Sequence, residues 1–170
     1  MDKNFQEVIS ITKRKIFPIF ESKFEGLRFD YTPSSLEEIE HFLDKTFPRD
    51  IEKVKEVEIL PFGIYLGEMI VKNIEEAKWQ DVGWTKNNKV RAVKNYIKIE
   101  TDDNSTFSVF PFNRILNYLN DRTDGIYAFY YLLEKHVNGE LDKHITEDNK
   151  GKWIKLPNGM KLRIRKVDVM

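Results

Sequence analysis

The 170 residues contain no cysteine, which excludes a disulfide framework, a thiolate nucleophile and every Cys-ligated zinc or iron–sulfur site. Neither glycine loop that brings backbone N–H groups against phosphates, G-x-G-x-x-G or G-x-x-x-x-G-K-[ST], is present. Ser10, Ser22, Ser34, Ser35, Ser105 and Ser108 lack a G-x-S-x-G elbow to hold a hydroxyl strained and exposed. No stretch approaches the roughly 18 uncharged apolar residues of a membrane span, and Met1–Glu7 has no apolar signal core. The expectation is a cytoplasmic protein without membrane association, cofactor or metal.

Net charge is also missing. Lys plus Arg and Asp plus Glu both total 28, so the chain lacks the overall positive field that drives phosphate-backbone binding, and nucleic acid is an unfavoured partner. Charge is nevertheless segregated. Ser34–Glu58 holds eight acidic and four basic residues, whereas Lys150–Lys166 holds seven basic and no acidic ones. Solvated helix faces and edge strands account for such runs.

What is abundant is apolar: 41% hydrophobic and 13% aromatic residues, enough to form a core. The length and the absence of a Gly-, Ser- or Pro-rich linker predict a single domain over 1–170, with a C-terminal hairpin at 150–170. Phe5, Val8, Ile9, Ile16 and Phe20 predict an opening helix ending near Pro18. Leu36, Ile39 and Leu43 predict a second, capped by Ser34 or Ser35, with Glu37 and Glu38 in its first turn, stopping before Pro48. A third spans Leu60–Asn73 with Pro61 in its first turn. There Gly63 and Gly67 share a face and invite close packing, because each mid-helix glycine costs on the order of 1 kcal/mol relative to alanine.

Lys78–Val82 and Val93–Thr101 read as strands. Ser105–Phe110 returns as a hairpin partner in which Phe107 and Val109 meet Ile97 and Ile99. A helix from Pro111 presents Phe112, Ile115, Leu116 and Leu119. The next, Gly125–Val137, buries Ile126, Phe129, Leu133 and Val137 and is capped by Gly139. A hairpin about Pro157-Asn158-Gly159 closes the chain. The class is α+β, an antiparallel sheet built from hairpins packed against about five helices.

Glu68 is the one acidic residue between Ile59 and Val71. A carboxylate partly desolvated there would suit proton transfer, and an enzyme reading needs it to converge with another polar group such as Asp81 or Tyr65. The bland account is a boundary residue paired with Lys72 or a backbone donor. Trp79, Trp84, Tyr96, Phe110 and Tyr130 could line a recognition surface, although core packing explains most of them. Tyr65, Glu68, Trp79 and Trp84 are therefore the candidate binding residues. Lys86, Lys89, Arg91, Lys94 and Lys98, near Trp84 and Tyr96, resemble a weak single-strand-binding pattern. His136, Glu140 and His144 would align as ligands only on a continuous helix, which Asn138-Gly139 should end; His41 stands alone.

At Phe29-Asp30-Tyr31-Thr32-Pro33-Ser34-Ser35-Leu36, Gly63-Ile64-Tyr65-Leu66-Gly67-Glu68, Lys78-Trp79 and Val109-Phe110-Pro111-Phe112, over roughly 27–130, the chain resembles a group of uncharacterised bacterial domains. Thr32 replaces a commoner Ser, and Phe62-Gly63-Ile64 a commoner Leu-Gly-Ala. The resemblance implies an architecture and a bacterial intracellular setting, without an established reaction. The expectation is a non-catalytic binding or interaction module with another protein as partner. By analogy, toxin neutralisation or regulation of a cytoplasmic protein would suit such a domain. The alternatives are a small hydrolase-like enzyme using Glu68 and a weak single-stranded nucleic-acid binder.

Overall fold

A computed structural model describes residues 5–47, 54–80, 94–101, 106–122, 125–148 and 151–164. Its contacts divide the chain into two compact units, 1–127 and 128–170.

The first unit opens with α1 (Phe5–Ile11), a π-helical turn π1 (Thr12–Ile16) and α2 (Phe17–Lys23). The helical path therefore does not end near Pro18. Proline supplies no N–H and crowds the carbonyl four residues back. Here the turn before it is widened: the Phe17 N–H bonds the Thr12 carbonyl, five residues back. The chain then runs without a strand through Leu27 and Phe29, both buried, to Tyr31, whose φ is 63°.

Helix α3 (Pro33–Thr46) buries Leu36, Ile39 and Leu43 as the spacing requires. Its N-cap is Thr32, not Ser34 or Ser35, because Pro33 with its fixed φ occupies the first helical position. That shift moves Glu37 and Glu38 out of the first turn. Glu38 instead pairs with Arg28, and Ser35 is freed for the contacts described below.

Helix α4 (Glu56–Asn73) begins four residues before the expected start. The Glu58 carboxylate accepts the Lys55 N–H at 2.8 Å, supplying the partner that an N-terminal turn needs. Pro61 therefore lies inside the helix. The glycine face is occupied. A Cβ on Gly63 would fall 2.2 Å from the Phe112 ring, and one on Gly67 1.9 Å from the Trp79 indole. Phe5 meets Trp79 edge-on at 5.0 Å between ring centres.

Strands β1 (Ala77–Gln80), β2 (Tyr96–Glu100) and β3 (Thr106–Val109) form an antiparallel sheet in that order. Ile97 opposes Val109 and Ile99 opposes Phe107, the register read from the alternation. Trp79 opposes Ile97 on the same face, which sends the indole toward α4. Val82, Val93 and the turn at Asp102–Asn104 lie outside the described residues.

Helix α5 (Pro111–Asp121) buries Phe112, Ile115 and Leu119, with Tyr118 fully turned in and Leu116 only half-buried. Helix α6 (Ile126–Val137) follows. The Glu40 carboxylate accepts the Tyr127 N–H at 2.8 Å at its start. Burial raises the Glu40 pKa above the usual carboxylate value, against the lowering pull of the helix N–H groups. A raised carboxyl pKa stabilises the fold fully below the unfolded-chain value, and that contribution is lost as pH rises through the folded one. The stability of wild type relative to Glu40→Gln should therefore improve as pH falls from 7 toward 5. Urea unfolding at matched pH values measures this, and a pH-independent difference would refute it.

In the second unit Gly139, at φ 65°, ends α6 as the sequence suggests. The buried residues of α6 include Tyr130 and Tyr131 as well as Leu133, while Phe129 and Val137 are only half-buried. Strands β4 (Ile145–Asp148), β5 (Gly151–Lys155) and β6 (Lys161–Ile164) form a second antiparallel sheet. The closing hairpin pairs Ile154 with Leu162 about Gly159, at φ 87°. Strand β4 was not evident in the sequence, since three of its four residues are exposed. The class is α+β, with its described strands divided between two sheets.

Candidate functional site

Three backbone features meet in the first unit: the π turn, the left-handed Tyr31 and the glycine face of α4. Each places a polar side chain. From π1, the Lys13 ammonium reaches Glu68 Oε2 on α4 at 2.5 Å. From β1, the Trp79 Nε1–H donates to Glu68 Oε1 at 2.9 Å, because the bare Cα of Gly67 admits the indole. Both Glu68 oxygens are thus engaged, and its side chain is 14% exposed.

Tyr31 lies beside this pair. Its phenol interacts with Lys13, yet burial holds its pKa above the normal tyrosine value. Glu68 in turn raises the Lys13 pKa through their hydrogen bond. The Lys13 and Lys72 ammonium groups both ride over the Tyr31 ring, at 5.8 and 4.6 Å from its centre. A bulky residue at positive φ is a strained outlier of a kind that concentrates at functional positions. What holds it is visible. The Tyr31 N–H donates to the Tyr65 hydroxyl at 2.7 Å, the two rings stack at 5.2 Å, and Ser35 Oγ meets the same hydroxyl at 2.5 Å while donating to the Thr32 carbonyl at 2.6 Å.

A groove of about 470 Å³ opens here, lined by Gln6, Ile9, Ser10, Lys13, Arg14 and Glu68. Gln6, Ser10 and Arg14 follow one another at four-residue steps along α1 and π1, so one stripe presents an amide, a hydroxyl and a guanidinium. Among the described residues, no carboxylate pairs with Arg14 or Lys72. A larger hollow, about 570 Å³, lies between residues 23–27 and α3, with Phe24 and Phe42 in its wall and His41 at its rim.

The sequence candidates are dispersed accordingly. Glu68 and Trp79 are joined directly; Tyr65 is linked to them only through Tyr31. Glu68 does not take Lys72 as its partner, because Lys13 and the indole occupy both oxygens and Lys72 lies over Tyr31. Trp84 and Asp81 lie outside the described residues, as do Lys86, Lys89 and Arg91. Lys98 is paired with Glu100 at 2.5 Å. Tyr96 and Phe110 contact each other at 5.4 Å, and Tyr130 is buried in the second unit.

His136, Glu140 and His144 are not brought together, since α6 stops at Val137; Lys135 takes Glu140 at 3.0 Å and the Tyr131 hydroxyl takes His144 Nδ1 at 3.1 Å. Among the described residues no group of three or more His, Asp or Glu is placed to hold a metal, and no helix is long and apolar enough to cross a membrane.

Sequence reasoning missed Lys13 and Arg14, and met Tyr31 only within the resemblance and Lys72 only as a partner for Glu68. The signal for the first two is the Lys13-Arg14-Lys15 run, which lies between the apolar positions of the opening helix. Comparison with protein-family models, with curated proteins and with solved structures finds no match for this chain.

Proposed function

We propose that this chain is a non-catalytic binding module, a bacterial cytoplasmic domain of the uncharacterised group it resembles, and that it binds through the groove beside Lys13 and Glu68. One observation carries the reading. Glu68 has a cation on one oxygen and an indole N–H on the other. A general base needs a free lone pair within reach of the proton it removes. This carboxylate instead works as a brace for Lys13, while the unpaired groups of the groove, Gln6, Ser10 and Arg14, face solvent. Such a site offers donors to an incoming molecule and no carboxylate oxygen without a donor already on it.

The test is a plug. Ser10 is exposed on α1, so Ser10→Trp should fill the groove without disturbing the core. Immobilised wild type is expected to retain a stoichiometric species from native lysate that the plugged variant loses. Equal retention by both would remove the groove from the reading. Turnover of any substrate that depends on Glu68 would overturn the non-catalytic assignment.

A further inference from the structure

We propose that the groove takes a phosphate group, either the free ion or a small phosphate monoester; this rests on the binding reading above and names its ligand class. The argument begins with the donors. Lys13, Arg14, Gln6 and Ser10 line the groove, and every one offers N–H or O–H. The single carboxylate, Glu68, already has a donor on each oxygen, Lys13 on one and Trp79 on the other. A ligand rich in acceptors, and an anion above all, would find an ammonium, a guanidinium, an amide and a hydroxyl all able to donate to it.

Charge sharpens the choice. Lys13, Arg14 and Lys72 outnumber the carboxylates that act at the groove and the adjoining Tyr31 ring, Glu68 and Glu21, which leaves an excess of positive charge there. A phosphate monoester carries nearly two negative charges at neutral pH, and a carboxylate only one. The guanidinium of Arg14 has no carboxylate partner among the described residues, and its planar fork matches two phosphate oxygens at once. Lys13 uses one of its three N–H donors on Glu68. That bond fixes the direction of the ammonium and leaves donors for an anion, so Glu68 acts as a positioning residue.

This site does not resemble a glycine-loop phosphate cradle, in which backbone N–H groups do the binding. It relies on side chains from α1 and π1, and the widened turn is what carries Lys13 toward Glu68 while Arg14 stays on the stripe of Gln6 and Ser10.

The experiment is a ¹H–¹⁵N titration of the whole chain with inorganic phosphate and, separately, with a nucleoside monophosphate, each against chloride at matched ionic strength. The expected result is a saturable shift of the Trp79 indole N–H and of the Ser10 and Arg14 amides. The double variant Arg14→Gln/Lys72→Gln changes two exposed side chains, keeps the fold and should weaken binding at least ten-fold. Tighter binding of the monophosphate identifies an ester as the ligand, and equal binding the free ion; both support the proposal.

Shifts no larger than those from chloride, or equal affinity in the double variant, would overturn it. In that case a species still lost by Ser10→Trp shows that the groove binds something other than phosphate. If Ser10→Trp loses nothing either, the binding reading has failed with it.

Discussion

Replacing Gly67 with alanine is expected to lower the unfolding free energy by about 2 kcal/mol, in a helix where the same exchange normally stabilises by about 1 kcal/mol. The added Cβ would lie 1.9 Å from Cζ2 and 2.3 Å from Cη2 of Trp79. The indole cannot simply turn away. Phe5 meets it edge-on at 5.0 Å, Phe112 stands 6.2 Å off, and its Nε1–H is tied to Glu68. Either the helix shifts or the Trp79–Glu68 hydrogen bond breaks, and each route costs more than the helix propensity returns.

A double-mutant cycle isolates this cause. In Gly67→Ala/Trp79→Leu the smaller side chain makes room for the methyl group, so the combined loss should fall short of the sum of the single losses by about 1 kcal/mol or more. Denaturant midpoints at unchanged m-values measure it. Additive losses would mean that Gly67 is there for some reason other than Trp79. Gly63→Ala should behave similarly against Phe112, with a Cβ contact of 2.2 Å.

The elements that the sequence disclosed are those whose evidence is local. Leu36, Ile39 and Leu43 recur at helical steps, and Ile97 and Ile99 alternate against Phe107 and Val109, so period alone identifies the buried face. The two glycines of α4 announced a close approach, although not by which rings. What stayed hidden depends on distant partners or on backbone that no residue type advertises. Lys13 and Glu68 are 55 positions apart; nothing near Glu68 in the chain points to π1, whereas Lys72, one turn on, was the obvious guess. Tyr31 adopts a left-handed φ without being Gly or Asn, the residues that would betray it. The N-cap moved because Pro33 outweighed two serines that cap well elsewhere. Strand β4 shows no alternation because only Ile145 is even half-buried, and it is held to β5 by the backbone ladder and exposed polar contacts such as the Trp153 Nε1–H to Asp148.

Tyr65→Phe should cost about 2 kcal/mol and loosen the candidate site, although it removes one oxygen and leaves the aromatic core in place. The Tyr65 hydroxyl is buried and does two things: it accepts the Tyr31 N–H at 2.7 Å and bonds Ser35 Oγ at 2.5 Å. In the variant Ser35 keeps the Thr32 carbonyl, whereas the Tyr31 N–H loses its acceptor. A non-glycine residue in the left-handed region costs on the order of 1–2 kcal/mol, which this bond helps to offset. Without it Tyr31 should relax toward negative φ and carry its ring away from Lys13 and Lys72.

A pH series separates this account from simple loss of packing. Burial pushes the Tyr65 pKa up to about 12 from 10, so the folded protein keeps a proton that the unfolded chain releases in that range. The contribution of the hydroxyl is therefore complete below pH 10 and declines as pH rises through the folded value. Tyr118, whose pKa is also raised, lies away from the replaced hydroxyl and titrates in both proteins, so its effect largely cancels in the difference. The advantage of wild type over Tyr65→Phe should be constant from pH 7 to 9 and shrink between pH 10 and 11, read from urea unfolding at each pH. A gap that holds steady into alkali would mean that the hydroxyl is not the buried, strap-forming group described above, and that the backbone of Tyr31 is held by something else.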